Sequence, residues 1–194
     1  MPMNIPAPLR ICRRFVASTR GVAAIEFAML LPTLVVMLLA TFDGGRALAV
    51  YMKVRSATYS LAAITNQYTT IQSTDMTAIT GATSVVLAPY SSAPVVVTIS
   101  QIAINSVSNI TVAWSYSLNG TALTQGAAAT VPANLATCNS YPCYLIYAQV
   151  SYTYSPMFGY FAHGAFTLSD NLYVTPRSST CVVYVPQQTA TACT

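Results

Sequence analysis

One uninterrupted apolar run dominates the first quarter of the chain. Residues 22–42 form a stretch of twenty-one residues that contains a single charged side chain, Glu26. As an α-helix with a rise of about 1.5 Å per residue, this run would be about 31 Å long, which matches the hydrocarbon core of a bilayer. The pattern therefore predicts a transmembrane helix at residues 22–42.

A helical pattern continues beyond the apolar run, but its apolar residues occupy only one face. They recur at alternating spacings of four and three residues, at Val50, Val54, Ala57, Leu61, Ile64 and Tyr68. We therefore predict one long helix over about residues 20–66. Its first half would cross a membrane, and its second half, within an amphipathic segment at 43–72, would pack on a folded domain.

A second helix and several strands are predicted next. Asp75 suits the positive end of a helix capped by Ser73 or Thr74, and Pro89 and Pro94 would end that helix. Partly alternating runs rich in Val, Ile, Thr and Tyr then predict strands at 94–105, 109–118, 144–154, 167–175 and 181–185.

The order of these elements predicts an α+β fold. A long transmembrane and amphipathic helix would be followed by a domain at residues 73–194, which holds the second helix and a small antiparallel sheet. Residues 121–142 are rich in Ala and Thr without a clear period. We interpret them as a loop or a poorly packed insertion between strands.

The composition is unusual for a cytosolic globular protein, because only 6% of the residues are charged. Four of the eight basic residues precede Gly21, and the other four equal the four acidic residues in number. The chain from residue 22 onward is therefore neutral by its side chains. No basic surface remains on the predicted domain, which argues against nucleic-acid binding.

The isolated carboxylate of Glu26 needs a physical reason. A charge near the centre of a membrane span costs about 2.5–3.5 kcal/mol on insertion scales, and ionisable residues inside spans are candidates for function. Residues 1–21 form a basic leader with four arginines, three prolines and no acid. A cut after Gly21 would create a free amine on Val22, a partner for Glu26 of a neighbouring helix. Alternatively, Glu26 reaches the lipid headgroups and has no further role.

These residues resemble a known processing signal. Gly21, followed by Glu26 and Phe27 at the head of an apolar helix, is similar to the class III signal that prepilin peptidases read on type IV pilin-like proteins. The wider stretch RGVAAIEFAMLLP, residues 20–32, resembles the opening of TadE/TadG-like pseudopilins of the Tad/Flp (tight adherence) system. The likeness is dense over residues 13–55 and diffuse beyond. It implies cleavage between Gly21 and Val22.

The resemblance also implies a function and a location. The chain would be a minor pseudopilin or assembly component of the Tad (Flp) type IV pilus, supporting adherence or secretion without a cofactor. Its partners would be other pilins and pseudopilins, Tad inner-membrane platform proteins, the prepilin peptidase and membrane lipid. It would cross the bacterial inner membrane once and would be a candidate for incorporation into the pilus. The basic residues that flank the span slightly favour a cytoplasmic N-terminus, and the cysteines after the span favour a periplasmic domain more strongly. An uncleaved single-pass assembly adaptor of the same apparatus is the alternative.

Four cysteines follow the predicted span: Cys138, Cys143, Cys181 and Cys193. An even number beyond the membrane fits disulfides in an oxidising compartment, and several pairings are possible. We favour the sequence-local pairs Cys138–Cys143 and Cys181–Cys193, since each brackets a turn-prone segment. A zinc site would need closely spaced cysteine pairs of the C-x₂-C type, which are missing from the sequence.

Catalytic signals are weak. The one histidine, His163, lies in an aromatic segment, FGYFAHG, seven residues before Asp170. A membrane-tethered hydrolase built on His163 is a third hypothesis, but no G-x-S-x-G nucleophile motif accompanies it. Phosphate-binding and dinucleotide-binding glycine motifs are also missing from the sequence. We therefore expect no enzymatic activity.

Overall fold

A long N-terminal helix extends away from a small α+β domain. The computed structural model describes residues 21–158 and 164–188. Helix α1 spans Val22–Thr65 without interruption, passing through Pro32, Gly44 and Gly45. The prediction of one helix over residues 20–66 is therefore confirmed. At about 1.5 Å per residue its 44 residues extend about 66 Å.

The second half of α1 forms part of the hydrophobic core. Val50, Val54, Ala57 and Leu61 are fully buried, and Ile64 and Tyr68 pack against the same core while half-buried. The predicted stripe thus faces the domain. Because these side chains supply one layer of the core, the helix and the domain fold as one unit beyond about residue 47.

Helix α2 spans Ser73–Leu87 and packs on α1. Its N-cap residue is Gln72, so the prediction of Ser73 or Thr74 as the N-cap is wrong. The hydrogen bonds at the start of the helix explain the difference. Gln72 and Asp75 form a capping box, in which the Asp75 carboxylate accepts the backbone N–H of Gln72 at 2.9 Å. The predicted position of Asp75 near the positive helix end is confirmed. Its main contact, however, is this hydrogen bond.

Four antiparallel strands form the main sheet: β2 at Val95–Ser106, β3 at Asn109–Leu118, β4 at Cys143–Tyr154 and β5 at Phe166–Val174. Their order in the sheet is β3-β2-β4-β5. Each boundary lies within one residue of its prediction, and the predicted α+β fold is confirmed. Helix α1 crosses β4 and β5, and both helices share one core with the inner face of the sheet.

Two very short strands form a separate parallel pair that the sequence did not predict. Strand β1, Thr70–Ile71, follows α1 directly, and β6, Val183–Tyr184, pairs with it. The predicted strand at 181–185 therefore exists in a shorter form, but it does not join the main sheet. A two-residue strand has no measurable periodicity, so only the tertiary structure reveals this pair.

The segment before β6 is attached to the main sheet through Val182. The backbone N–H of Val182 donates to Oε1 of Gln101 at 2.7 Å, and its carbonyl accepts from the indole N–H of Trp114 at 2.7 Å. Gln101 and Trp114 are both fully buried on neighbouring strands. The Gln101 and Trp114 side chains thus provide hydrogen-bond partners for the N–H and C=O groups of Val182. These groups lack the partners that a neighbouring strand would supply within a sheet.

Residues 121–142 cover the outer edge of β3. Backbone hydrogen bonds join Val112 to Gly126 at 2.8 Å and to Ala127 at 2.9 Å, and Ala129 donates to Ile110 at 3.0 Å. Residues 121–142 thus form a mostly exposed loop, which agrees with the predicted loop, and hydrogen bonds attach its residues 126–129 to β3. An exposed strand edge favours pairing with other chains, so this cover protects β3 from that pairing.

Further along the same edge, one side chain imitates a strand partner. The Gln187 amide accepts the backbone N–H of Ser115 at 3.1 Å and donates to the Ser115 carbonyl at 2.8 Å. Both backbone groups of Ser115 are thus satisfied without a further strand.

The structure contains a disulfide between Cys138 and Cys143, the first of the two sequence-local pairs. It closes a short loop beside a second, smaller core on the outer face of the sheet, which includes Ile104, Val131 and Leu145. Cys181 is also disulfide-bonded. Its predicted partner, Cys193, lies outside the described residues.

Replacing Cys138 and Cys143 together with serine should lower the free energy of unfolding by about 2 kcal/mol, because the unfolded chain regains the freedom of the closed loop. Denaturant unfolding of the full chain in detergent, followed by circular dichroism, measures this change. Ser140→Ala, an exposed substitution within the same loop, is the matched control. An unchanged midpoint for the double variant would show that this disulfide does not stabilise the domain.

Candidate functional site

The residues of the predicted processing signal lie together at the free end of α1. Gly21 is the N-cap residue, and Val22 begins the helix. Glu26 and Phe27 follow within the next two turns, and all four residues are exposed. The residues of the predicted signal therefore lie at the end of α1 that is remote from the domain.

The fold itself gives no reason for a glycine at position 21. Its backbone has φ −82° and ψ −19°, which any residue adopts. A Cβ atom added at Gly21 meets no atom of residues 21–158 or 164–188 within 4 Å. A requirement for glycine here would therefore come from another molecule.

Glu26 is surrounded on its own helix by apolar side chains. Val22, Met29 and Leu30, one turn to either side, are 52%, 75% and 61% exposed. Within the described part of the chain, no salt bridge joins Glu26 to another side chain. Its carboxylate is thus available to a partner from outside this chain.

Helix α1 is long and apolar enough to cross a membrane. The most apolar 18-residue window has a mean hydropathy of 2.3, and none of it is buried within the chain. A helix with an apolar surface on every side, extending from a domain, matches a membrane span better than a core helix.

Comparison with known proteins bears on this same segment. Residues 21–62 match the family model described as TadE-like protein. Helix α1 is therefore similar to this family over the matched residues. The match begins at Gly21, the residue that precedes the predicted cleavage point, and ends near the last turn of α1. The likeness supports a component associated with the Tad pilus. No curated protein and no solved structure matches the chain.

The matched segment contains two structurally distinct halves. Its first half carries the residues of the predicted signal and the apolar run, and its second half carries the buried stripe that packs on the domain. The matched residues therefore include most of helix α1 but none of the main sheet.

The third hypothesis, catalysis by His163, has little further support. His163 lies outside the described residues. Asp170 lies in β5, and its backbone carbonyl accepts a hydrogen bond of 3.5 Å from the hydroxyl of Thr58 on α1. Among the described residues, no group of three or more His, Cys, Asp or Glu side chains could hold a metal ion.

A cleft of about 620 Å³ lies between residues 121–130 and the outer face of the sheet. Its polar lining consists of hydroxyl and amide side chains, which include Thr98, Tyr147, Gln149 and Tyr173. Burial raises the pKa of the Tyr147 and Tyr173 phenols, so both stay protonated near neutral pH. Among the described residues that line the cleft, there is no carboxylate, imidazole or thiol that would supply an acid–base pair.

Sequence reasoning missed a clamp at the point where the apolar run ends. The Asp43 carboxylate accepts the backbone N–H of Met157 at 3.2 Å and that of Phe158 at 3.1 Å. Tyr154 donates its hydroxyl to the Asp43 carbonyl at 3.3 Å. We refer to these four residues as the Asp43 clamp. It ties the loop after β4 to α1, and hydrogen bonds to an ionised acceptor are stronger than neutral ones.

Aromatic and cationic groups surround the clamp. The rings of Phe42 and Phe158 meet edge to face with centroids 6.0 Å apart. The Arg46 guanidinium lies 5.8 Å from the centroid of the Phe42 ring and donates to the sulfur of Met157 at 3.3 Å. No local pattern signals these contacts, because the residues that meet are more than a hundred positions apart in the chain.

Proposed function

We propose that this chain is a minor pseudopilin of the Tad (Flp) pilus, processed between Gly21 and Val22. The observation that carries this proposal is the placement of the exposed signal, Gly21, Glu26 and Phe27, at the free tip of a TadE-like helix. The span would lie in the bacterial inner membrane, with the leader in the cytoplasm and the disulfide-containing domain in the periplasm.

Assembly would proceed through α1. After cleavage, the new amine of Val22 on one helix would pair with Glu26 of its neighbour. Such pairing satisfies a carboxylate that would otherwise be costly in the bilayer. Other pilins and pseudopilins, together with the Tad membrane platform, are the corresponding partners.

The outer face of α1 supports helix packing. Exposed residues recur along it at alternating spacings of four and three, the repeat of helices that wrap around one another. We call this set the outer seam: Phe27, Leu31, Leu34, Leu38, Thr41, Gly45, Leu48, Met52, Arg55 and Tyr59.

The outer seam continues beyond the predicted span. Leu48, Met52 and Tyr59 are 55%, 58% and 46% exposed on the side of α1 that faces away from the domain. Gly45 lies between the two halves of the seam, and no packing contact with the residues that the structure describes requires its small size. A partner helix would cover these side chains along both halves of α1.

The deciding experiment is the intact mass and N-terminal sequence of the protein isolated from membranes, with and without the host's prepilin peptidase. We expect a mature chain beginning at Val22, and its loss in the strain that lacks the peptidase. Gly21→Leu should leave the fold intact, because a Cβ at this position meets nothing, yet it should block processing in the normal strain.

A chain that retains Gly21 in both strains would contradict the pseudopilin proposal. It would favour the second candidate, an uncleaved single-pass adaptor of the same apparatus. The specific observation behind that candidate is the continuity of α1 with the domain core, which lets a membrane anchor position a periplasmic domain without any processing.

A further inference from the structure

We propose that the residues directly after β4, 155–158, form with α1 and the start of β5 a second membrane contact on the bilayer surface. The proposed contact, called here the interfacial patch, consists of Phe42, Arg46, Met157, Phe158 and Phe166. It builds on the proposed membrane anchoring by α1. It does not depend on cleavage or on pilus assembly.

The position of the patch along α1 fixes its depth. The apolar run from Val22 to Phe42 would be about 31 Å long, so Phe42 would lie at the boundary between acyl chains and headgroups. Phe158 is in edge-to-face contact with Phe42, and the Asp43 clamp holds the backbone of the same loop. If α1 spans the bilayer, Met157 and Phe158 must therefore lie at the headgroup level.

The patch exposes apolar side chains that the fold leaves uncovered. Phe42 and Met157 are 52% and 66% exposed, and Phe158 and Phe166 are 42% and 38% exposed. Adjacent large apolar groups at a protein surface indicate a contact with another apolar phase. Beneath them, a cavity of about 160 Å³ opens between α1 and the loop, lined by Ala40, Ala47 and Phe166 among others.

The chemistry of the patch matches a lipid interface. Aromatic side chains concentrate at the headgroup level of membrane proteins, and arginine extends its guanidinium toward phosphates while its stem stays in apolar surroundings. Arg46 lies one turn beyond Phe42 with its guanidinium near that ring. The occupant we assign is therefore the phospholipid surface, continuous with the lipid around the span.

Asp43 acts as a positioning residue in this arrangement. Its carboxylate receives two adjacent backbone N–H groups of the loop, so it fixes Met157 and Phe158 on the membrane side of the domain. The opposite end of the sheet carries the turn between β2 and β3, where Val107 is 61% exposed. Because β2 is 12 residues long, this turn lies about 40 Å from the β4 end of the sheet that bears the clamp.

The test uses the full chain in phosphatidylcholine vesicles with brominated acyl chains, which quench tryptophan fluorescence on contact. Met157→Trp places the probe in the patch. Val107→Trp is the matched exposed control at the far end, and Leu34→Trp is the control inside the span. Trp114 is fully buried in the domain, so the unmodified protein gives the baseline.

We expect roughly two-fold lower emission from Met157→Trp in brominated than in ordinary vesicles, since interfacial side chains enter the headgroup and acyl boundary. Val107→Trp should follow the baseline. Adding Asp43→Ala to Met157→Trp should remove most of this quenching, because the loop is released, while Leu34→Trp stays quenched in the same background.

The possible outcomes separate this proposal from the anchoring on which it rests. Quenching of Leu34→Trp without quenching of Met157→Trp overturns the second contact and leaves the anchor intact. No quenching at either position overturns the membrane span and this proposal together. A blue-shifted Met157→Trp signal that depends on protein concentration, without quenching, would assign the patch to a second copy of the chain and overturn the lipid assignment.

Discussion

Trp114→Ala is expected to lower the free energy of unfolding by about 3–5 kcal/mol, a large part of the roughly 5–15 kcal/mol that stabilises a typical domain. Trp114 is fully buried and its ring lies 5.4 Å from that of Tyr184, so the substitution leaves a cavity in the main core. It also removes the indole N–H that satisfies the Val182 carbonyl. Denaturant unfolding in detergent, followed by far-ultraviolet circular dichroism, measures the loss.

Trp114→Phe is the matched control for this prediction. It keeps an aromatic ring in the core and removes the indole N–H, so the Val182 carbonyl loses its donor. The expected cost is about 1–3 kcal/mol, the penalty for an unsatisfied buried polar group plus some lost packing. If the alanine variant unfolds at the same denaturant concentration as the unmodified protein, the attachment of the Val182 segment does not stabilise the domain.

Glu26→Gln should reduce incorporation into sheared pilus or cross-linked helix assemblies by on the order of 100-fold. The reason is that breaking the proposed ion pair between Glu26 and the Val22 amine of a neighbour would leave that amine uncompensated in the bilayer. The measurement compares the amount of the chain in the pilus fraction with that in whole membranes. The mature mass is determined in the same samples, so a defect in cleavage is distinguished from a defect in assembly.

Glu26→Asp is the rescue variant, because it keeps the carboxylate on a shorter side chain. It should restore most of the assembly that the glutamine variant loses. Met29→Leu, an exposed change one turn away, should have no effect. If Glu26→Gln assembles as well as the unmodified protein, the Glu26 carboxylate forms no ion pair with a neighbouring amine. It would then reach the lipid headgroups and have no further role.

Local patterns predicted most of the fold because each main element has its own period. Helix α1 combines a uniformly apolar half with a stripe at Val50, Val54, Ala57 and Leu61, and both halves signal a helix. The strands alternate clearly: in β4, Ile146, Ala148 and Val150 face the main core, whereas Leu145 faces the smaller one. The spacing of apolar residues predicts a helix or a strand only where that element buries one of its faces.

The features that escaped prediction join residues far apart in the chain. Gln101 and Trp114 hold Val182, and Asp43 holds Met157 and Phe158. A glutamine within a strand and an aspartate after an apolar run are ordinary in sequence, so nothing local marks their partners. For the same reason, the sequence predicted a loop or a poorly packed insertion at residues 121–142 but gave no sign that residues 126–129 would pair with β3.

The residues of the candidate site also include some that the sequence could predict and some that it could not. Gly21, Val22, Glu26 and Phe27 could be singled out because a lone carboxylate in an apolar run is physically costly, and the family likeness then suggested their role. The Asp43 clamp has no such signal. Charged residues commonly follow a span, and only the structure shows that this one organises a distant loop.

The continuity of α1 also decides how a soluble form of this protein must be designed. Removing everything before Ser73 would delete Val50, Val54, Ala57 and Leu61, and the sheet would lose the layer that covers its inner face. A fragment that starts at Asp43 drops the apolar run and keeps both this layer and the aspartate that holds the loop. For expression and crystallisation, the natural starting point is therefore the first residue beyond the apolar run, well inside the helix.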